Sequence, residues 1–363
     1  MMKTLLKTLA ALAFLYGLLL SPLVAAAGAK PLPIQLSGSI EHIRAVSLDS
    51  QCGQHASSDA ADRSTANNHG IRLVHAHTDR LIWQLETMAF AVCADITAVD
   101  SNDDGYIDRL YFANTGGQLW RVQLDSDNRD LWRAQLLLEL EEGQPFFTAP
   151  DVVVSQDAGY YGIIIGSAGT AQTHLQSTQN YLIFYRDYCL HSAAADCTAG
   201  TKTLADLQQL IHPNRAQPPV DNSKYHNGWY LPLAADEVTV TRAATQNYTT
   251  VVATFNPGAA GTCTYGDCTT TGESRLYYFN PFYFDSDPNL EHRPYYRLVE
   301  GAGPLPEPQP FIQLPEPKAC RKQSCKPPQP IIAGFNFGDT QQQIEQPELG
   351  LIVKSWWHNH RDD

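Results

Sequence analysis

Apolar and aromatic residues occur along this chain in short runs, each bounded by Gly, Asn, Asp or Pro. Runs such as Ile163-Ile164-Ile165 and Leu182-Ile183-Phe184 are too short for helices and rich in strand-forming residues. The pattern predicts strands over Ile71–Ala76, Leu81–Leu85, Ile107–Ala113, Gln118–Leu124, Asp151–Ser155 and Tyr160–Gly166. Further strands are predicted over Asn180–Arg186, Val238–Ala244, Tyr248–Phe255 and Ser274–Asn280. One segment, Thr203–Ile211 (TLADLQQLI), carries Leu204, Leu207, Leu210 and Ile211 at helical spacing and predicts a short helix within a long insertion. The fold class is therefore mainly β, in the form of a sandwich, a barrel or a propeller. No repeat of fixed period is present. The nearest internal echo is between LYFANTGGQLWRVQL and YYGIIIGSAG followed by NYLIFYRD.

The two ends break this texture. Residues 1–29 read as a secretory signal peptide: Lys3 and Lys7, an apolar run from Leu9 to Leu20, then Ala25-Ala26-Ala27 and Ala27-Gly28-Ala29 as cleavage sites. An uncleaved anchor is the weaker reading, because that run is short for a bilayer span. No later segment is long and apolar enough to cross, so the mature chain is expected to lack a transmembrane segment. Residues 30–93 form an N-terminal β segment. Residues 301–330 carry nine prolines and predict an extended, polyproline-like strap. Residues 331–363, with Ile331-Ile332, Leu351-Ile352-Val353 and Trp356-Trp357, are read as closing strands and a tail.

Composition narrows the setting. The 363 residues include 25 Lys plus Arg against 38 Asp plus Glu, a formal net charge of -13. Such a surface repels nucleic acid and anionic lipid and accepts cations. The eight cysteines allow on the order of a hundred pairings, of which the most economical joins Cys189 with Cys197, Cys263 with Cys268, Cys320 with Cys325 and Cys52 with Cys93. No C-x-x-C occurs, so loop-stapling disulfides of an oxidising compartment are expected in preference to zinc.

The candidate chemistry lies in VDSNDDGYIDR, Val99 to Arg109. On an EF-hand template with Asp100 at position 1, Asn102, Asp104 and Asp108 fall at positions 3, 5 and 9. Gly105 takes position 6, and Tyr106 at position 7 offers its carbonyl. Alternate side chains of a tight loop face one ion, and the glycine permits the turn. Asp103 points away. The bidentate Glu of position 12 is replaced by Tyr111, and a strand follows instead of a helix. Hard oxygen ligands select calcium, here with an affinity of ~10⁻⁶ to 10⁻³ M and a structural role. The competing reading is a metal-free turn rich in Asp and Asn.

These residues carry a family likeness. Ala94–Leu124 (ADITAVDSNDDGYIDRLYFANTGGQLWRVQL) resembles the PilC/PilY family of type IV pilus proteins, in which a D-x-[DN]-x-D-G-x-x-D-R-[LIV]-Y loop precedes a G-x-[LIV]-W-R strand. The likeness continues through FFTAPDVVV, GIIIGSAGT, QNYLIFYRD, GWYLPL, ESRLYYFN and the Pro-rich approach to KSWW, as far as Trp357. It implies that residues 94–300 form a β-propeller-like domain, with long disulfide-stapled loop insertions, of the kind found in the carboxyl half of a calcium-binding pilus-tip adhesin and assembly factor. It also implies that Asp100, Asn102, Asp104, Asp108 and the Tyr106 carbonyl hold Ca2+. Members of that family usually have a long N-terminal region, often von Willebrand A-like. Only about 65 residues separate the signal peptide from Ala94 here, so an incomplete propeller is expected. Ala113-Asn114 also stands where the family often has Gly-Asp.

Other motifs carry less. His75-x-His77 has zinc-like spacing but no third ligand nearby, and His358 and His360 lie in the tail. Asp125–Asp130 places Arg129 where a ligand would be needed. Ser167 in GSAG is not a nucleophile elbow. Trp120 resembles the docking strands of quinoprotein propellers yet suits a blade core. Paired carboxylates for glycoside chemistry are invisible in sequence, and Asn247-Tyr248-Thr249 is a formal sequon. The expected function is a non-enzymatic module in pilus biogenesis or surface attachment. Its partners would be minor pilins, a larger pilus-tip protein, or a host or surface ligand. An exported hydrolase or quinoprotein relative is the alternative.

Overall fold

The strands of this protein divide into mostly antiparallel sheets that follow one another along the chain. The computed structural model describes residues 32–36, 39–48, 69–102, 104–124, 128–140, 144–154, 159–168, 179–190, 197, 200–211, 221–246, 249–257, 272–281, 294–299, 304–313, 332–337, 340–343 and 354–355. The first sheet is β1 (Leu32–Leu36), β2 (Ser39–Ser47), β3 (His69–His75) and β4 (Leu81–Met88), in sequence order. The second is β5 (Thr97–Val99), β6 (Arg109–Ala113), β7 (Gln118–Gln123) and β8 (Arg133–Glu139), again in sequence order.

The third sheet contains β9 (Asp151–Val154), β10 (Tyr161–Gly166), β11 (Tyr181–Asp187), β12 (Gln208–Gln209) and β13 (Gly228–Pro232), ordered β12-β13-β11-β10-β9. In the fourth, β14 (Val238–Thr239) and β15 (Ala244–Gln246) both pair with β16 (Thr249–Asn256), which is followed by β17 (Glu273–Phe279) and β18 (Tyr295–Val299). The fifth holds β19 (Gln309–Gln313), β20 (Ile332–Phe337) and β21 (Thr340–Gln343). Finally β22 (Lys354–Ser355) adds to β9 in the third sheet.

Period-two alternation explains how these sheets stack, because successive side chains of a strand point to opposite faces. On β6, Leu110 and Phe112 join Ile71, Leu73 and Ile82 of the first sheet, while Tyr111 and Ala113 join Ile163, Ile165 and Ile183 of the third. On β11, Leu182 and Phe184 turn the other way, to Val252, Tyr277 and Phe279 of the fourth sheet. Val251, Ala253 and Tyr278 then meet Phe335 and Phe337 of the fifth. Five sheets thus pack face to face in chain order, a mainly β, propeller-like arrangement. Among the described residues no core cluster joins the fifth sheet to the first. On the far face of the first sheet Arg72, Gln84 and Glu86 are exposed.

Two expectations are corrected. Thr203–Ile211 is not a helix: Leu204–Asp206 makes one 3-10 turn, and β12 then pairs in parallel with Trp229-Tyr230. Leu207 and Leu210, which would share a helix face, enter the cores on opposite sides of the third sheet. The same insertion pairs Lys202 with Leu138, so it covers the outer edges of both the second and third sheets. Val238–Ala244 is not one strand. β14 and β15 are separate, and the Arg242 between them is buried with its guanidinium 3.8 Å from Asp151. Within the proline-rich stretch β19 is an edge strand, a position where a proline is tolerated. The expected signal peptide, Leu351–Val353 and Trp356-Trp357 lie outside the described residues, as do all the cysteines but Cys93, Cys189 and Cys197. Cys189 and Cys197 are disulfide-bonded to each other, as the spacing predicts, and Cys93 is also in a disulfide.

Stacking the sheets buries tyrosines, and their titration is expected to limit the fold at alkaline pH. Burial pushes the Tyr185, Tyr277 and Tyr278 hydroxyls up, Tyr278 to about 12. The Asp187 carboxylate adds to the effect at Tyr185, and the Glu237 carboxylate adds at Tyr277. Each keeps its proton when folded and loses it when unfolded above about pH 10. The stability they contribute is therefore complete below that value and lost as pH rises further. Thermal midpoints measured across pH are expected to fall steeply above about pH 10. Tyr278→Phe, which removes a buried hydroxyl without a hydrogen-bond partner, should make that fall shallower. An identical pH profile in the variant would assign the transition to other groups.

Candidate metal centre

The acidic loop joins β5 to β6. Its base is closed by the Asp108 amide, which donates to the Val99 carbonyl at 3.1 Å. Asp100 and Asp108, at the two ends, are buried, whereas Asn102, Asp104 and Gly105 are exposed. Gly105 has φ +91°, where a side chain is strained, so the turn needs the glycine at this position.

Side-chain oxygens hold the loop's own amides. Asp100 accepts from the amides of Asp104 (3.2 Å) and Gly105 (2.8 Å). The Asp104 amide also donates to Asn102 Oδ1 at 3.0 Å, and the Tyr106 amide donates to Asp104 Oδ1 at 2.9 Å. Asn102 Nδ2 donates to Asp104 Oδ2 at 3.0 Å. Asp108 turns to Ser101, accepting from its amide at 3.0 Å and from its hydroxyl at 2.6 Å. Burial raises the Asp108 pKa, with the Ser101 hydrogen bonds and Arg109 working against it and the Asp100 charge adding to it.

Asp100, Asn102 and Asp104 are therefore brought together through one wound backbone, while Asp108 sits with Ser101 and the half-buried Tyr106 lends its amide. Among the described residues no three His, Cys, Asp or Glu side chains converge as a metal site. Asp103 lies outside the described residues. The donor chemistry nonetheless fits a hard divalent cation. Every candidate donor is oxygen, and each carboxylate oxygen used by an amide keeps a second lone pair.

Beneath the loop lies a buried polar node that sequence reasoning missed. Arg109 and Tyr111 on β6 pair with Gln123 and Arg121 on β7, and all four side chains point toward the third sheet. Arg121 Nη1 lies 2.6 Å from Asp187 Oδ1, and the Tyr111 hydroxyl donates to Asp187 Oδ2 at 2.9 Å. Arg121 Nη2 donates to the Cys197 carbonyl at 2.9 Å and to Gln135 Oε1 at 2.7 Å. The Arg109 guanidinium donates to the carbonyls of Cys189 and Leu190. Gln123 Nε2 donates to Cys189 Sγ at 3.3 Å. Arginines in two apolar strands, Arg109 at the start of β6 and Arg121 inside β7, were the available signal, since a buried cation needs fixed acceptors.

The remaining sequence candidates have structural surroundings. His75 and His77 lie with ring centroids 5.9 Å apart at the end of β3, and no third ligand type joins them among the described residues. Ser167 is buried, donates to Asn180 Oδ1 and accepts from the Tyr181 amide. Trp120 stacks on Phe112 in the core between the first and second sheets. Asn128 caps a 3-10 turn, and Asp125–Asp127 lie outside the described residues, as do Asn247, His358 and His360.

Comparison with known proteins places the fold and nothing finer. No family profile matches the sequence, and no curated protein matches it either. Among solved structures, the chain is similar to the C-terminal domain of Pseudomonas aeruginosa PilY1, with a TM-score of 0.55 and 14% identity. The match covers 87% of this chain and 72% of that one.

Proposed function

We propose that this chain is an exported, calcium-binding β-propeller-like module acting in type IV pilus biogenesis or surface attachment. In this reading it binds protein partners and does no chemistry. The observation that carries the proposal is a conjunction: a fold like the PilY1 C-terminal domain, and a D-x-N-x-D-G-x-x-D loop wound by its own carboxylates at the entry to a central strand. Asp100, Asn102, Asp104, Asp108 and the Tyr106 carbonyl would hold the ion, which would neutralise the packed carboxylates and fix the turn that feeds β6. Minor pilins or a larger pilus-tip protein are the partners this reading names.

Calorimetric titration of the chelator-stripped mature protein is expected to show one calcium site of ~10⁻⁶ to 10⁻³ M. Asp104→Ala, exposed and outside the core, should weaken it at least about tenfold without loss of fold, since each carboxylate carries part of the affinity. Saturating calcium at about 100 times the Kd should stabilise the wild type by about 2.7 kcal/mol. No heat at millimolar calcium would reduce the loop to a turn. A stable monomer that retains no pilin from pilus fractions would remove the pilus assignment.

A further inference from the structure

The loop and the Cys189–Cys197 disulfide lie far apart in sequence yet share one strand. Asp108 is the last residue of the loop, and Arg109, which follows it, holds the Cys189 and Leu190 carbonyls. Arg121, paired with Tyr111 two residues along, holds the Cys197 carbonyl and Asp187. Asp187 Oδ1 in turn accepts the Cys189 amide at 3.1 Å. Both carbonyl ends of the disulfide are thus gripped by buried guanidinium groups of the β6–β7 pair. A second route runs through Tyr161: its hydroxyl donates to the Ser101 carbonyl at 3.2 Å, and the Arg109 guanidinium lies 4.9 Å from its ring centroid. Ser101 is also the residue that holds Asp108.

We propose that the disulfide and the Asp100–Asp108 loop form one coupled unit. Reducing the bond weakens the loop's hold on calcium, and bound calcium favours the oxidised pair. This rests on the calcium reading above. The reductant is a dithiol: one thiolate attacks a sulfur of the Cys189–Cys197 bond, and the second thiol resolves the mixed disulfide. Two electrons and two protons pass to the protein, leaving two cysteine thiols and an oxidised dithiol. The cross-link closes a short span, eight residues apart in sequence. Without it the Cys189 and Cys197 carbonyls are tied together only through the backbone between them. Arg109 and Arg121, both buried, then lose fixed acceptors. The strand end that positions Asp108 is left without its anchor.

The test compares calcium titrations of the full mature protein with those of its Cys189→Ser/Cys197→Ser variant. An affinity about tenfold weaker in the variant is expected, within the usual range of coupling between sites. Linkage requires the reciprocal effect. In a dithiothreitol redox buffer, saturating calcium should raise about tenfold the reduced-to-oxidised ratio needed to half-reduce Cys189, read by thiol alkylation and mass spectrometry. The disulfide of Cys93, outside the node, should not shift. Equal affinities in variant and wild type would overturn the coupling while leaving the calcium site intact. Should the variant not fold, an unshifted wild-type redox equilibrium overturns it alone. A wild type that binds no calcium overturns the underlying reading and the coupling together.

Discussion

Replacing Glu237 by alanine is expected to destabilise the protein by about 3–5 kcal/mol, the cost of breaking a buried charged network on one side. Glu237 is fully buried where the third sheet hands over to the fourth. One carboxylate oxygen accepts from the Thr254 hydroxyl (2.5 Å) and the Tyr277 hydroxyl (3.0 Å). The other accepts from the Ala234 amide (2.9 Å) and Arg275 Nη1 (2.6 Å). Alanine leaves the first three donors without their acceptor, and it opens a cavity in a packed region. Arg275 is less exposed to the loss, because it keeps Glu273 at 2.5 Å. Arg275→Met, which leaves the fully buried Glu237 carboxylate without its cation, should cost a similar amount. Glu237→Gln, which keeps the shape but not the charge, should cost less than either. Urea unfolding midpoints with unchanged m-values would measure all three. A loss below about 1 kcal/mol for Glu237→Ala would mean that water replaces the carboxylate at little cost.

How legible such a fold is depends on how many faces of each strand are buried. β10 and β11 are covered on both sides and appear in the sequence as uninterrupted apolar runs, GIIIG and YLIFY. β8 (RAQLLLE) has a half-exposed first half and a leucine-rich end, a composition that does not favour strand. β18 is a mostly exposed edge, and β19 carries a proline, so neither alternates cleanly. The number of sheets was illegible because the insertions differ: the third sheet holds the long excursion from Tyr188 to Asn227 between two of its strands. That excursion also misled the helix assignment at Thr203–Ile211. Leucines three apart can serve one helix face or two opposite strand faces, and only the pairing with β13 decides between them.

The candidate site divides in the same way. The loop is local, so residue type and spacing revealed its winding: the Gly105 turn and the Asp100 and Asp104 caps follow from Asp and Asn beside glycine. Its anchorage is not local. Arg109 meets the Cys189 carbonyl across 80 residues of chain, and Arg121 meets Asp187 across 66. Nothing in D-R-L-Y or L-W-R says which acceptors those cations will find. Tertiary packing alone brings the disulfide to them.

Gly228→Ala is the second substitution expected to cost several kcal/mol, and it tests packing that no composition reveals. Gly228 has φ +126°, and a Cβ built there would lie 2.1 Å from the Phe184 carbonyl oxygen and 3.1 Å from the Tyr185 Cα. Those atoms are backbone, and they cannot swing aside. Phe184 pairs with Ile164 on one side and with Trp229 on the other, and the Arg186 amide is bonded to the Asn227 carbonyl. The Trp229 that follows is fully buried, stacked on Phe184 and edge-on to Phe279. Any shift of β13 therefore opens the core between the third and fourth sheets. Overpacking and positive-φ strain together predict a loss of about 3–5 kcal/mol. Gly159 supplies the comparison. Its φ is +67°, but nothing lies within 4 Å of an added Cβ, so Gly159→Ala should cost only about 1–2 kcal/mol, from conformation alone. Denaturant midpoints of the two variants separate the causes. A large gap assigns the role of Gly228 to the close approach of two strands, whereas equal losses would mean that β13 moves aside and only the dihedral matters.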